Sequence, residues 1–339
     1  MDPLKEFSEK MKTKNLRGLW ESVQGDAYRE PLSSFEPYVW KWEDVHGAIR
    51  EAGDIIPLES AFRRVVQLCH PSLKGRTTHT LQLNIQLLKP KEHALAHRHT
   101  LAAIRFVIQG GGARCVVAGE SFEIGEGDFI TTPNWTWHDH VNNSNETLMW
   151  LDGLDGPLAR FLEVGFWEPY KGKRQPITRS EGHSHSELSP VRPSWVRPSS
   201  CQPPPYHYPW QETEKALKYA GEMPGDPFDG VLLHYVNPLT GGPTVPTFMC
   251  GVQMLRRGET TKSHRHTSST ICHVFKGRGT TVIDGRRYEW ETGDSFVVPL
   301  WRFHHHENKS DKEAILFFMT DKPVMDALGF YREESEQGR

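Results

Sequence analysis

The chain has 339 residues, 37% of them hydrophobic and 24% charged, and a formal net charge of −3. The composition is that of a globular protein, and the length is enough for two domains. The slightly negative net charge argues against the basic surface that nucleic-acid binding needs. The sequence contains no run of about 18 apolar residues, the length that a membrane-spanning helix needs. The charges near the start of the chain argue against a secretory signal. The five cysteines are scattered without a Cys-x-x-Cys pair, so we expect reduced thiols and a cytoplasmic protein.

Residues 1–60 are predicted to form a helical arm. Apolar residues recur at helical spacing over 4–24, which predicts an amphipathic helix, either continuous or broken, and a second, shorter helix is predicted over 42–52. From residue 61 the chain changes to short runs rich in β-branched and aromatic residues, which indicates a β-barrel or sandwich. A first β domain is assigned to 61–165, with strands at 63–68, 81–88, 104–108, 114–117, 129–132 and 147–151.

A linker is predicted over 166–230, because Ser, Pro and Arg dominate 180–200. One helix, near 211–220, should interrupt it. His183 and His185 resemble a ligand pair, but neither a strand nor a third ligand accompanies them, so we interpret them as exposed loop residues. A second β domain is assigned to 231–320, and a closing helix to the tail 321–339.

The histidines of the first β domain have the spacing of a metal site. A strand turns alternate side chains to the same face, so His97 and His99 should point together. His138, about forty residues later, can supply a third ligand. Imidazole binds Fe(II), Zn, Cu and Ni alike, and the ligand type alone therefore does not select the metal.

The chain contains an internal repeat. A shift of 167 residues places His97 on His264 and His99 on His266, and with one residue deleted His138 falls on His304. Shared positions over some seventy residues indicate a duplication. The second set of histidines is therefore a candidate second metal site.

Each copy joins His-x-His to a later Gly-x5-Pro-x4-His-x3-Asn, and this pair of motifs resembles the double signature of the cupin β-barrel. The whole chain resembles a bicupin, with a closer resemblance to the gentisate 1,2-dioxygenase family, which includes salicylate and 1-hydroxy-2-naphthoate dioxygenases. The resemblance covers roughly 60–320. The closer resemblance is carried by His97-Arg98-His99, Ile104-Arg105-Phe106-Val107-Ile108-Gln109-Gly110, Trp137-His138-Asp139-His140, Leu151-Asp152-Gly153-Leu154-Asp155, Tyr235-Val236-Asn237-Pro238 and Gly241-Gly242-Pro243.

This resemblance implies a mainly β fold of two cupin (double-stranded β-helix, jelly-roll-like) barrels with a few flanking helices, assembled as a homotetramer. It also implies an Fe(II) enzyme that uses O2 to open the ring of a salicylate-type acid. The ring would open between the carboxyl-bearing and hydroxyl-bearing carbons, and the substrate would chelate the iron. The general cupin motif places a Glu where this chain has Ala103 and Thr270. Its absence leaves coordination positions for a chelating substrate and O2.

The family resemblance assigns substrate residues beside the first metal site. Arg105 should bind the carboxylate through its planar fork. A second arginine is Arg63 or Arg64, and strand alternation favours one of them, which we take to be Arg63. Gln86 is assigned either a contact with the substrate hydroxyl or oxygen, or a structural role, because Gln253 repeats it in the second copy.

Further assignments concern the surroundings of the ligands. His140 could act as an acid or base, or orient a ligand. Trp135 is a candidate pocket residue; the alternative is that its ring only packs at the mouth of the barrel. Gln82 and Asn84 depart from the family pattern on the face of Gln86, where polar groups would contact a ring substituent. Gentisate is therefore one candidate substrate, and salicylates with a hydroxyl, amino or nitro group are others.

Two alternative functions follow from the same residues. A bicupin decarboxylase or isomerase would normally use the missing Glu, and a non-enzymatic binding bicupin would tend to lose its histidines. In the second copy, Cys272 occupies the position of Arg105, so that site is interpreted as vestigial or structural, with its metal occupancy left open.

Overall fold

The computed structural model describes residues 2–21, 30–31, 33–58, 62–189, 191, 194–195 and 203–336. They belong to two separate units, one within 1–34 and one within 35–339. In the smaller unit, helix α1 (Pro3–Lys12) begins after Asp2, whose Oδ1 accepts a hydrogen bond from the Leu4 amide at 3.0 Å.

Helix α1 is shorter than the helix predicted over 4–24. Soon after Lys12 the backbone turns left-handed at Asn15, with φ at 57°, a conformation that Asn tolerates and a helix cannot continue through. A single 3-10 turn follows at Leu19–Glu21, and 22–24 lie outside the described residues.

The larger unit is mainly β, and its strands are numbered in chain order. They are β1 Tyr38–Trp40, β2 Arg64–Gln67, β3 Gln82–Leu88, β4 His93–His99, β5 Ala103–Gln109, β6 Ala113–Val117, β7 Glu120–Ile124, β8 Phe129–Thr132, β9 His138–Val141, β10 Leu148–Leu154, β11 Trp167–Pro169, β12 His207–Tyr208, β13 Val231–His234, β14 Met249–Leu255, β15 His264–His266, β16 Thr270–Lys276, β17 Arg278–Ile283, β18 Arg286–Glu291, β19 Ser295–Val298, β20 His304–Glu307, β21 Ala314–Thr320 and β22 Glu333–Ser335. Its helices are α2 Trp42–Ile55, α3 Gly156–Phe161, α4 His183–Glu187, α5 Trp210–Gly221 and α6 Lys322–Ala327. Among the described residues, no helix combines the length and apolar character needed to cross a membrane.

Four antiparallel sheets form two barrels of two sheets each. In the first barrel the strand orders are β12-β8-β5-β10-β3-β2 and β11-β4-β9-β6-β7. The second barrel repeats them as β1-β19-β16-β21-β14-β13 and β18-β17-β20-β15-β22. The predicted mainly β architecture with two barrels is confirmed. The predicted domain boundary at 60/61 falls on residues 59–61, which lie outside the described part of the chain.

Alternation along β3 divides its side chains between two environments. Leu83, Ile85 and Leu87 belong to an apolar core that extends across both barrels, where Phe106 stacks on Phe317 with ring centroids 4.6 Å apart. The even-numbered side chains of the strand point to the opposite face. The predicted polar positions 82, 84 and 86 therefore share one face, inside the first barrel.

The two barrels exchange their edge strands. β1 precedes the first barrel in sequence but pairs with β19 of the second, whereas β12 precedes the second barrel and pairs with β8 of the first. The helix that follows each exchanged strand packs on the barrel that comes next in sequence: α2 packs on β2 and β3 of the first barrel, and α5 packs on β13 of the second. Within the predicted helical arm, 38–40 is therefore a strand. The Tyr-x-Trp-x-Trp pattern of 38–42 has a counterpart, Tyr-x-Tyr-x-Trp, at 206–210.

Tryptophans fix both exchanged segments over glycines. Gly127 and Gly293 have φ of +86° and +93°, values that L side chains rarely adopt. A Cβ there would lie 2.5 Å from the ring of Trp210 and 2.3 Å from the ring of Trp42, respectively. These glycines are required both by the backbone turn and by the tryptophan rings packed against them.

Two reciprocal hydrogen bonds join the barrels. Thr80 Oγ1 in the first barrel donates to Asp321 Oδ2 in the second at 2.5 Å, and Thr247 Oγ1 in the second donates to Asp155 Oδ2 in the first at 2.7 Å. Burial raises the pKa of both carboxyls, that of Asp321 to about 6. The interface therefore repeats the internal symmetry of the chain.

Two sequence predictions outside the barrels are wrong. His183 and His185 lie in helix α4 rather than in an open loop, and His185 Nε2 is 2.8 Å from the carbonyl oxygen of His207. The predicted closing helix in the tail is confined to α6, and β22 follows it as a strand paired with β15. Both segments dock on barrel edges, which their local sequence does not reveal.

We expect Thr80→Val to lower the free energy of unfolding by about 1–3 kcal/mol, because the buried Asp321 carboxylate loses one of its donors and keeps the Ser269 amide. Since the folded-state pKa of Asp321 already exceeds its unfolded value, its ionisation costs stability as the pH rises through about 6. The hydrogen bond from Thr80 stabilises the ionised carboxylate and so opposes that cost. The loss of unfolding free energy in Thr80→Val should therefore be larger at pH 8, where Asp321 is ionised, than at pH 5. Denaturant titration measures it, with the exposed Thr260→Val as the control; equal losses at both pH values would contradict the prediction.

Candidate active site

Three histidines of the first barrel converge inside it. His97 and His99 alternate on β4, and His138 begins β9, directly opposite His97 in the strand pairing. One ring nitrogen from each lies within 4.8 Å of the other two, and all three residues are buried. The predicted His-x-His motif and the distant third histidine therefore form one cluster.

Backbone carbonyls orient the three rings. Each Nδ1 lies near the carbonyl oxygen of a residue two positions away: 3.2 Å for His97 and Leu95, 2.8 Å for His99 and Leu101, and 2.9 Å for His138 and Thr136. For His99 and His138, donation from Nδ1 leaves Nε2 as the free ligand atom. Nε2 of His138 is buried without any hydrogen-bond partner, as a metal-binding nitrogen would be. The cluster therefore fits a metal ion held by three imidazoles.

The imidazoles are neutral at ordinary pH. Burial, followed by the charge of Arg63, lowers the pKa of His97 to about 2. Burial likewise lowers the pKa of His99 to about 4 and that of His138 well below its usual 6.5. A metal ion competes poorly with a proton for a ligand nitrogen, so these neutral rings are prepared for metal binding.

Arg105 is buried on β5 next to the cluster. Its Nε lies 3.3 Å from Oδ1 of Asp152, which is directly opposite in the strand pairing, and its Nη1 donates to Oγ1 of Thr132. Burial raises the pKa of the Asp152 carboxyl, while Arg105 and Arg63 oppose that rise. Asp152 therefore fixes the guanidinium of Arg105 and neutralises part of its charge.

Arg63, and not Arg64, faces the cluster. Nη2 of Arg63 lies 2.8 Å from Nδ1 of His97 and donates to the carbonyl oxygen of Leu95 at 3.2 Å. Arg64 instead forms an ion pair with Glu92. Burial lowers the pKa of Arg63 to about 10, which leaves it charged at neutral pH.

Gln86 bridges the buried charges. With its amide oriented to satisfy the network, Nε2 donates to Asp152 Oδ2 at 3.0 Å and Oε1 accepts from Arg63 Nη1 at 3.1 Å. Two guanidinium groups thus share one carboxylate, and a bound divalent ion would add further positive charge. A buried surplus of positive charge favours an anionic ligand.

A cavity of about 270 Å³ opens beside His99. It is lined by Gln67, Gln82, Asn84, His99, Leu101, Leu154, Gly156, Ala159, Arg160, Gly165, Phe166 and Trp167. Nε2 of Gln82 donates to Oγ1 of Thr77 at 3.1 Å, whereas Oε1 of Gln82 and Oδ1 of Asn84 are buried without partners. The polar pair predicted from the sequence therefore lies at the cavity, with unused acceptor atoms.

Two other predicted residues lie beside the cavity rather than on it. His140 is buried with both ring nitrogens unpartnered, between His138 and the ring of Trp150, whose centroid is 5.0 Å away. Trp135 is 37% exposed and packs on the guanidinium of Arg98 at 4.3 Å, at the mouth of the barrel.

Some cavity residues were not foreseen. Arg160, Phe166 and Trp167 come from helix α3 and the chain after it, beyond the histidine motifs, and the ring of Trp167 lies 6.1 Å from that of His97. Their local sequence has no feature of a binding site. Only the pairing of β11 with β4 brings them there.

Comparisons with known proteins agree with this geometry. A model of the cupin domain matches residues 84–153 and 251–320. A 5-aminosalicylate 1,2-dioxygenase of Comamonas is 41% identical, over 96% of this chain and 89% of that protein. A gentisate 1,2-dioxygenase of Aquipseudomonas alcaligenes is 38% identical, over 97% of this chain and 95% of that protein. This chain belongs to the gentisate and salicylate 1,2-dioxygenase family of bicupins.

A solved structure supports the same family. Salicylate 1,2-dioxygenase from Pseudoaminobacter salicylatoxidans, crystallised as adducts with gentisate, superposes with a TM-score of 0.89 at 31% identity, covering 100% of this chain and 95% of that one. The resemblance and fold class predicted from the sequence are confirmed. The chain is an aromatic-ring-cleaving dioxygenase of this family, whose members are metal-dependent, and its histidine cluster is a candidate site for the metal.

We expect His97→Ala to remove one metal equivalent per chain and to abolish activity, because two imidazoles alone hold a divalent ion weakly. His93→Ala is the matched control: it lies on the same strand but pairs with Asp139 at 3.3 Å, outside the cluster. Elemental analysis and turnover are measured on both proteins. Full turnover by His97→Ala would refute its assignment as a ligand.

Proposed function

We propose that the first barrel binds Fe(II) through His97, His99 and His138 and opens a ring-substituted salicylate with O2. The observation that carries this proposal is the buried pair of guanidinium groups beside three neutral imidazoles. The pair provides positive charge for a carboxylate, and three ligands on one face of an iron leave about three positions open. Iron bound there would supply the activation of O2 for attack on the chelated ring.

Arg105 is proposed to bind the substrate carboxylate. Asp152 and Thr132 use its Nε and Nη1, which leaves the rest of the fork for the ligand. Arg63 adds the second positive charge. Gln86 connects Arg63 with Asp152 and is assigned the positioning of both charged groups. Binding an anion in this way orients the ring without displacing a metal ligand.

Gln82 and Asn84 are proposed to contact a polar substituent on the ring. Buried acceptors without partners are costly, and an amino or hydroxyl hydrogen of the substrate would satisfy them. The names of relatives agree with such substrates, since they include enzymes for 5-aminosalicylate and gentisate. Another relative acts on 5-nitrosalicylic acid, but only 24% of this chain aligns with it.

His140 and Trp135 are proposed to act at a distance from the substrate. His140 packs against the ligand His138 and would position it or hold a proton near the site. Trp135, stacked on Arg98, would fix the mouth of the barrel. The predictions of a homotetramer and of a cytoplasmic location stay predictions; light scattering tests the first.

Oxygen consumption tests the proposal. Protein loaded anaerobically with Fe(II) is mixed with gentisate, 5-aminosalicylate, 5-nitrosalicylate and salicylate, and O2 uptake is recorded together with the absorbance of a ring-opened product. Uptake of one O2 per ring opened supports the proposal. Release of CO2 without O2 uptake would indicate a decarboxylase, and binding without turnover would indicate a non-enzymatic bicupin.

We expect Arg63→Lys to raise KM for the aromatic acid about tenfold or more, because lysine keeps the charge but loses the planar fork that bonds Leu95 and Gln86 and holds that charge in place. Arg64→Lys is the matched control on the neighbouring residue, because its side chain pairs with Glu92 away from the cavity. It should leave KM unchanged. An equal rise of KM in both variants would show that Arg63 acts only on the stability of the barrel.

We expect Asn84→Leu to lower kcat/KM for 5-aminosalicylate and gentisate about tenfold or more, while unsubstituted salicylate changes little. Salicylate serves as the internal control, since it lacks the group that Asn84 would contact. Steady-state kinetics on the three acids measures the ratio. A uniform loss for all three would place Asn84 away from the substituent.

A further inference from the structure

The second barrel contains the same three-histidine cluster. His264 on β15, His266 two residues later and His304 on β20 each bring a ring nitrogen within 4.8 Å of the others. The Nδ1 atoms of His266 and His304 lie 2.8 and 2.9 Å from backbone carbonyl oxygens two positions away. Nε2 of His264 is buried without a hydrogen-bond partner. The ligand geometry of the first site is therefore retained.

The charged substrate residues of the first site are all replaced. Strand pairing shows which residues are equivalent. Cys272 takes the place of Arg105, because Cys272 lies opposite Phe318 where Arg105 lies opposite Asp152. Gly230 takes the place of Arg63, because the strands that follow these two residues pair in the same register. The second site thus has neither guanidinium, and its thiol is buried, with a pKa raised by that burial. A cavity of about 270 Å³ lies beside this cluster, but it lacks the two arginines that the first site offers to a carboxylate.

Two carboxylates occupy the positions of two aromatic rings. In the first barrel, Phe62 and Trp167 pack their rings near His97, with centroids 5.3 and 6.1 Å away. Their counterparts in the second barrel are Asp229 and Glu333. β22, which carries Glu333, pairs with β15 as β11 pairs with β4.

Both carboxylates contact the same histidine. Oδ1 of Asp229 lies 3.9 Å from Nε2 of His264, and Oε1 of Glu333 lies 3.2 Å from its Nδ1. Two ligands bound about 2.1 Å from one ion can be at most about 4.2 Å apart. Asp229 approaches His264 this closely but does not belong to the group of ligand atoms that lie within 4.8 Å of one another. Its carboxylate therefore stands next to the cluster as a neighbouring negative charge, while Glu333 accepts the proton on the other nitrogen of His264.

We infer that the second barrel holds a divalent transition-metal ion through His264, His266 and His304 as a structural site, with Asp229 and Glu333 as neighbouring carboxylates. Its charge is balanced by the protein, since Asp229 and Glu333 together match a divalent cation. The nearby Lys322 does not oppose this, because its ammonium pairs with Asp326 at 3.0 Å. In the first site the opposite excess of positive charge requires an anionic ligand, so one duplicated frame has acquired two functions.

Such an ion would join parts of the chain that are distant in sequence. Asp229 precedes β13, and Glu333 belongs to β22 near the end of the chain. Glu333 is also an acceptor for the Tyr331 hydroxyl at 2.7 Å. Metal binding should therefore fix the last strand on the second barrel and stabilise the folded state.

Zinc stoichiometry tests this inference independently of the proposed function. Protein stripped by a chelator, refilled with Zn(II) and desalted should contain two ions per chain in the wild type, one in His97→Ala and one in His264→Ala. The His97→Ala protein, with only the second site intact, is then used to measure Zn(II) affinity and the melting temperature with and without chelator. His97→Ala protein that holds no zinc would overturn the inference.

An isosteric variant tests the negative charge of Asp229 next to the cluster. In the His97→Ala protein, we expect Asp229→Asn to raise the Kd for Zn(II) at least tenfold and to remove the stabilisation against heat. His234→Ala is the matched control, because His234 lines the same cavity without joining the cluster; it should leave the Kd unchanged. An unchanged Kd in Asp229→Asn would overturn the role of Asp229.

Discussion

The first site depends on the burial of Arg63 and Arg105 inside a barrel. Such burial is tolerated only when each guanidinium is hydrogen-bonded and partly neutralised, and this requirement explains the surrounding residues. Asp152 supplies the charge, Thr132 an acceptor, and Gln86 the connection between the two arginines. The same positive charge helps to keep the imidazoles neutral, so one electrostatic constraint prepares both the metal ligands and the place for an anion.

The duplication provides an internal control for this view. Both barrels keep three imidazoles in one geometry, although the residues around them differ. Both clusters lie beside a cavity of about 270 Å³, but where the first site has arginines the second has Cys272, Asp229 and Glu333. The ligands alone therefore do not define a catalytic centre; the charge of the neighbouring side chains does.

The strongest sequence predictions rested on strand alternation and on the repeat. Both place His97, His99 and the polar face of β3 correctly, because period-2 geometry survives in any barrel. Predictions failed where pairing partners are distant in sequence. The strand at 38–40, the helical setting of His183 and the cavity position of Trp167 all depend on docking to an edge that local sequence does not encode.

The exchange of edge strands has a consequence for the history and folding of the chain. β1 and β12 each cover an edge that would otherwise be free to pair with another molecule. Neither half could be cut out without exposing such an edge, and β1 finds its partner only after the second barrel has been synthesised. This is the arrangement expected if a single-barrel ancestor formed a domain-swapped dimer whose two copies were later fused into one polypeptide.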